Sequence, residues 1–248
     1  MFRYSRCCLA SLILSYGWVC GFSLAAEEPV KLNFLVILVD DMGWTGLSGY
    51  GSNLHETPHI DRLAVGAMKF TSAYASASIC TPTRAALMTG KYPARLNMTI
   101  WHEASRTPPQ NRKLIPLIVE GNLPHSEVTI AEVLQDTGYK TGHIGKWHLG
   151  EATHYPETQG FDFTFWGSFW GAPDTFYFPY RGYWGSGEKR HPRHVPGIDA
   201  SEPREGEHLT DRLTDEALAF IERSLFLIHV LLHRSHSDRR KTGNRKSL

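Results

Sequence analysis

Three short stretches concentrate reactive side chains at close intervals. In residues 76–97, SASICTPTRAALMTGKYPARLN, Cys80 is followed two places on by Pro82 and two beyond that by Arg84. Cys80 falls just before an expected helix start, where unpaired N–H groups and the helix dipole favour negative charge. Arg84, one turn on, can face the same side. A nucleophile or oxyanion there would be stabilised; the plainer alternative is a small buried cysteine beside a solvent-facing arginine. Asp40 and Asp41 are adjacent at the end of an apolar run. Neighbouring carboxylates repel unless a cation or hydrogen-bond donors compensate, and a hard divalent ion with oxygen ligands does this. A turn or helix cap using one aspartate is the alternative. Lys146 and His148 are two apart in GHIGKWHLG, so in extended backbone they point the same way and suit an anionic oxygen or a proton transfer. An exposed Lys-x-His would look the same.

The scaffold around these groups can be read from pattern. Residues 31–41, KLNFLVILVDD, form a continuous apolar run ending in the two aspartates, the signature of a buried parallel strand opening on a site. A helix is expected from Thr57 as N-cap and Pro58 as first helical residue, then a strand over 70–75, FTSAYA. A short helix runs from residue 82 to about 89, stopped by Gly90. Residues 103–125 are Pro-rich and irregular. Residues 126–139 read as an amphipathic helix with Ile130, Val133 and Leu134 on one face. Residues 140–150 read as strand then loop, 151–208 as aromatic-rich loop, and 208–224 as another amphipathic helix. Strands alternating with helices indicate an α/β fold.

Bulk properties narrow the class. The 248 residues suffice for one large domain, and a formal net charge of +1 gives no case for nucleic acid. Residues 1–26 read as a signal peptide: Arg3 and Arg6, an apolar segment too short and interrupted for a stable membrane anchor, then SLAA. Cleavage after Ala25 or Ala26 removes Cys7, Cys8 and Cys20. Cys80 is then solitary, which excludes a disulfide framework and leaves a lone thiol needing a reason. A secreted or periplasmic location is expected. Asn97-Met98-Thr99 matches a glycosylation acceptor, with a meaning that depends on the host.

Taken together, Cys-Thr-Pro-Thr-Arg with its extension AALMTGKYPAR, LVDDMGW, TPHIDRLA, and GYKTGHIGKWHLG followed by GFD resemble the sulfatase family, in order and spacing, over about residues 31–224. The resemblance implies an alkaline-phosphatase-like α/β fold, a mixed and mostly parallel sheet flanked by helices, truncated at the C-terminus. It implies a sulfuric ester hydrolase acting on aryl or carbohydrate sulfates. In that family the cysteine becomes formylglycine, whose hydrate attacks sulfur through one hydroxyl and releases the alcohol. The second hydroxyl then loses its proton, sulfate departs and the aldehyde returns. Carried onto this chain, Asp40, Asp41 and residue 80 hold Ca2+, with Mg2+ less favoured. Arg84 holds the formylglycine, Lys146 binds sulfate, and His148 orients or deprotonates the diol. Ser168 is a candidate for the hydroxyl that touches sulfate. Implied partners are a sulfated small molecule or glycan and a formylglycine-generating or equivalent maturation enzyme, with no nucleic acid and no stable membrane association.

Departures from the family set the domain reading: residues 27–224 as the N-terminal part of the catalytic domain, and 225–248 as an aberrant basic tail. From Leu225 the chain has six Lys/Arg against one acid. The family's later Asp-Asn pair, second sulfate-binding lysine and His-Thr-Pro stretch are not found. Shifting the degenerate codons for 225–238 by one base permits Phe-Phe-Leu-Tyr-Met and, further on, Val-His-Thr-Pro, which is compatible with a frameshift. On that reading His229, His233 and His236 are not a metal cluster. The competing functions are a non-catalytic truncated fragment, and a phosphomonoester or phosphonate hydrolase of the same superfamily.

Overall fold

The computed structural model describes residues 32–107, 111, 113–114, 117–180, 182–184, 191–193, 204–223 and 226–233. The expected signal peptide, 1–26, lies outside them.

Strands β1 (Phe34–Asp40), β2 (Lys140–Ile144), β3 (Phe163–Phe165) and β6 (Phe226–His233) form one sheet in the order β1-β6-β2-β3, every pair parallel. Strands β4 (Gly182–Trp184) and β5 (His191–Arg193) pair separately and antiparallel. The helices are α1 (Pro58–Val65), α2 (Cys80–Thr89), α3 (His102–Arg106), α4 (Ile130–Asp136) and α5 (Leu209–Ile221). Register sets the site. Val230 of β6 pairs with both Ile37 and Ile144, so Asp40 and Lys146 lie past that common line in the same direction. Both are therefore at the carboxyl edge of the sheet, where open α/β sheets place ligands.

The core has two parts, one on each side of β2. Leu209, Leu213, Ala217 and Phe220 of α5 pack on Ile144, Trp166 and Tyr180. Gly142 permits this contact, because a Cβ there would sit 3.0 Å from the Phe220 ring. Across β2, Ala85 and Met88 of α2 pack with Ala131, Leu123, Trp147, Leu149 and Phe161. His143 projects to this side, edge-on to Trp147 at 5.1 Å. Strand β2 is thus buried on both faces, which suits a central parallel strand. Helix α2 ends where expected: Gly90 takes φ 68, the left-handed C-cap that glycine adopts without penalty.

Several expectations need correction. Residues 70–75 form no strand; the run is short, rich in small residues, and no described strand offers it a ladder. Helix α2 begins at Cys80 itself, with Ile79 as the extended N-cap. In α4 the inward face is Ala131 and Leu134, while Ile130 and Val133 are 41% and 52% exposed. The cause is the capping box: Thr129 accepts from Glu132 N, donates to the Gln159 carbonyl at 2.8 Å, and so fixes the rotation of the first turn. Strand β1 is not buried on both faces, since Leu35 and Ile37 are about half exposed. The irregular segment contains α3. The 225–248 segment contains β6, which supplies the strand between β1 and β2; its apolar run suffices for a strand whatever the character of the residues beyond it.

Candidate active site

Helix α2 delivers Cys80 and Arg84 on successive turns. Cys80 is half-buried, a free thiol on the first helical residue. Arg84 is 2% exposed, so the reading of a solvent-facing arginine fails. Its Nη1 donates to the Lys146 carbonyl at 2.7 Å and its Nη2 to Asp40 Oδ1 at 3.3 Å. Lys146 Nζ donates to Asp40 Oδ2 at 2.6 Å and to Cys80 Sγ at 3.0 Å. Four residues from three distant segments therefore make one contact set, with Asp40 bridging two buried cations. Burial pulls the Arg84 guanidinium below its ordinary value, and the negative charge of Asp40 opposes this.

The neighbouring threonine secures the assembly. Thr81 is fully buried; its Oγ1 donates to the His148 carbonyl at 2.8 Å and accepts from His102 N at 3.1 Å. This ties the first turn of α2 to both the loop after β2 and the start of α3. The loop is not extended, as the sequence reading supposed. Asp41 and His148 take φ 54 and 59, left-handed values uncommon in residues other than glycine and enriched at functional sites. In consequence Lys146 and His148 engage different partners. His148 Nε2 lies 2.6 Å from Glu103 Oε2, and its N donates to the Ser168 carbonyl at 3.0 Å. Burial pushes the His148 imidazole below its ordinary range, Lys146 adds to this, and Glu103 opposes it. Burial would raise Glu103, but the hydrogen bond and charge of His148 outweigh it and hold the carboxyl at about 2.

A cavity of about 440 Å³ opens beside this set, lined by Asp40, Asp41, Ser78, Cys80 and Arg84 among others. Its carboxylates and hydroxyl are hard oxygen donors, which suit Ca2+ or Mg2+, with the Cys80 thiol the soft donor beside them. Two carboxylates fall short of the roughly six to eight oxygens calcium takes. No group of three or more metal-holding His, Cys, Asp or Glu occurs among the described residues. Both oxygens of Asp40 also face cations. The described residues thus fit part of a calcium shell. Ser168 is buried, with Oγ accepting from Trp170 N at 3.4 Å.

Sequence reasoning named Asp40, Cys80, Arg84 and Lys146, and the structure joins them by direct contacts. Asp41 shares the cavity, and His148 is linked through Thr81. It missed Thr81, Glu103 and Gly171. The first was hidden inside the motif; Glu103 sits in a helix too short to leave a periodic signal, and Gly171 in a loop.

The chain is similar to known proteins over most of its described length. The family model described as Sulfatase matches residues 32–245. Steryl-sulfatase of Rattus norvegicus is 40% identical over 175 residues, covering 68% of this chain and 28% of that protein. Arylsulfatase of Hemicentrotus pulcherrimus is 36% identical over 208 residues, covering 78% and 34%. Among solved structures, Ps i-CgsB in complex with k-i-k-neocarrahexaose superposes with a TM-score of 0.61 at 26% identity, covering 84% of this chain and 46% of that one. The chain therefore spans about a third or less of the length of these two curated relatives. The parallel sheet flanked by helices is the α/β, alkaline-phosphatase-like fold of such neighbours. The match of motif, site contacts, family model and relatives is concordant: the chain belongs to the sulfatase family.

Proposed function

We propose that this chain is the N-terminal part of a sulfuric ester hydrolase whose nucleophile is a formylglycine made from Cys80. The observation that carries the reading is the contact set Asp40–Lys146–Cys80 with Arg84 locked behind it. Arg84, bonded to the Lys146 carbonyl, fixes the helix turn that bears residue 80 against the loop. Lys146 Nζ stands beside that side chain and can hold a sulfate oxygen while charge builds on it. His148 takes the proton that must leave the second hydroxyl for sulfate to be released. Asp40 and Asp41, with residue 80, would hold calcium, magnesium being less favoured, and further ligands would come from beyond the described residues. When bound, the ion lowers the pKa of the nucleophile and offsets charge on sulfate.

The substrate class is a sulfated small molecule or glycan. The half-buried Phe169 and Trp170, a tilted pair with ring centroids 4.5 Å apart, could meet a sugar face, and the related Ps i-CgsB holds a neocarrahexaose. Other aromatics of this stretch are less suited: Phe161, Trp166 and Tyr180 belong to the core, and Phe163, Phe165, Phe176 and Phe178 pack against it. A maturation enzyme would convert Cys80, and a signal peptide over 1–26 would direct the protein to a secreted or periplasmic location. No helix among the described residues is long and apolar enough to cross a membrane.

The test is mass spectrometry of the peptide holding residue 80 from the native host, followed by turnover of an aryl sulfate against an aryl phosphate. The expected peptide has exchanged sulfur for oxygen and lost two hydrogens, and the aryl sulfate is preferred. An unmodified thiol, or preference for the phosphate, overturns the reading.

A further inference from the structure

We propose that Glu103 is a positioning residue for His148, fixing the imidazole as its Nε2–H tautomer and leaving Nδ1 bare as the acceptor. The geometry leaves little choice. Glu103 Oε2 is 2.6 Å from His148 Nε2, and Oε1 accepts from the backbone N–H of Gly171 at 3.3 Å. An ionised carboxylate has no proton to give, so Nε2 must be the donor. The other ring nitrogen, Nδ1, is buried with no hydrogen-bond partner among the described residues. Such an atom is costly unless something fills the need. A reacting hydroxyl or the proton it loses would do so, so the orphaned atom faces the role given to His148.

The support around the pair is built rather than incidental. Thr81 joins His102 N to the His148 carbonyl, so the helix bearing Glu103 and the loop bearing His148 hang on one hydroxyl at the second residue of α2. His102 Nδ1 meets the Gly121 carbonyl at 2.5 Å and holds the other flank of α3. Gly171 closes over the ring: a Cβ there would come within 2.7 Å of His148 Cε1. The same residue thus donates to the carboxylate and limits where the imidazole can turn.

This arrangement gives Glu103→Gln a specific consequence. Gly171 N–H still needs an acceptor, so the amide oxygen takes the Oε1 place and the NH2 takes the Oε2 place. The NH2 then donates to Nε2, and the ring proton moves to Nδ1. Glu103→Asp keeps a carboxylate and the original tautomer, with a shorter reach. The catalytic consequence rests on the sulfate-ester reading above; the tautomer does not.

The experiment is 15N–1H correlation of the ring nitrogens in the full chain labelled with 15N-histidine, His148 being assigned by its loss in His148→Asn. Wild type should show a protonated Nε2 and a bare Nδ1 at neutral pH, Glu103→Asp the same, and Glu103→Gln the reverse. In the matured protein, Glu103→Gln should lower kcat on an aryl sulfate by about 10²- to 10⁴-fold, as for a base held in the wrong tautomer, with KM changed less than about threefold. Glu103→Asp should recover part of the loss. A wild-type Nδ1–H, or an unchanged tautomer in folded Glu103→Gln, overturns the proposal. If Glu103→Gln does not fold, the wild-type and Glu103→Asp spectra still decide. If matured wild type fails to cleave the aryl sulfate, the hydrolase reading falls while the spectra judge the tautomer separately.

Discussion

Asp40→Asn removes one charge from a site that holds two buried cations. Lys146 Nζ is 2.6 Å and Arg84 Nη2 3.3 Å from its oxygens, with side-chain exposures of 3%, 2% and 9% for Lys146, Arg84 and Asp40. The amide keeps the shape but not the compensation. Breaking a buried ion pair by removing one partner costs about 3–5 kcal/mol, because the charge left behind stays desolvated. That is about 10²- to 10³·⁵-fold in the folding equilibrium, or roughly 6–20 °C in Tm for a chain of this size. Lys146→Met should cost less, about 1–3 kcal/mol, since Asp40 keeps Arg84. In the double variant only one cation remains uncompensated, so the losses should fall short of the sum by about 0.5–3 kcal/mol. The assay is urea unfolding followed by circular dichroism, in chelator, with the slope required to stay constant. An Asp40→Asn penalty under about 1 kcal/mol, or strictly additive losses, would refute the claim that this bridge holds the site together.

Other outcomes follow from single contacts. Glu103 has a carboxyl held at about 2 against an ordinary 4.5, so its contribution to stability is present above about pH 4.5 and is lost as pH falls toward 2. In acid titrations monitored by fluorescence, Glu103→Gln should flatten that fall. His148 is shifted down from 6.5, so the unfolded chain takes the proton first and stability should already decline as pH drops below about 6.5; His148→Asn should remove that decline. Gly142→Ala should destabilise by about 1–3 kcal/mol in chemical unfolding, because its Cβ meets the Phe220 ring at 3.0 Å with no flexible end to yield. Thr129→Ala should cost about 1–2 kcal/mol, losing both the α4 cap and the bond to Gln159; a loss below 0.5 would mean that water replaces both.

The sequence made the chemistry more legible than the scaffold. Cys80, Arg84, Asp40 and Lys146 are legible because charged and sulfur-bearing side chains stand at fixed spacings in short motifs. Strand β1 and helix α5 are legible because one is a continuous apolar run and the other has a long apolar stripe. The burial of Ile130 and Val133 was misread because a buried cap outside the apolar pattern sets the rotation of α4. The geometry of 145–148 was misread for a similar reason. A left-handed φ at His148 is not encoded in its side chain but imposed by hydrogen bonds to Thr81 and Ser168, one more than sixty residues away. Glu103 was invisible because its meaning comes only from contact with His148, 45 residues on.

Helix α2 grips the loop after β2 by its main chain: Arg84 takes the carbonyl of residue 146, and Thr81 that of residue 148. Carbonyls do not change when side chains do. The loop's path is therefore held in part by contacts that do not depend on which groups it displays at positions 146 and 148. A scaffold with this division of labour is suited to diversification, since new chemistry can be sampled there without first re-inventing the architecture that presents it.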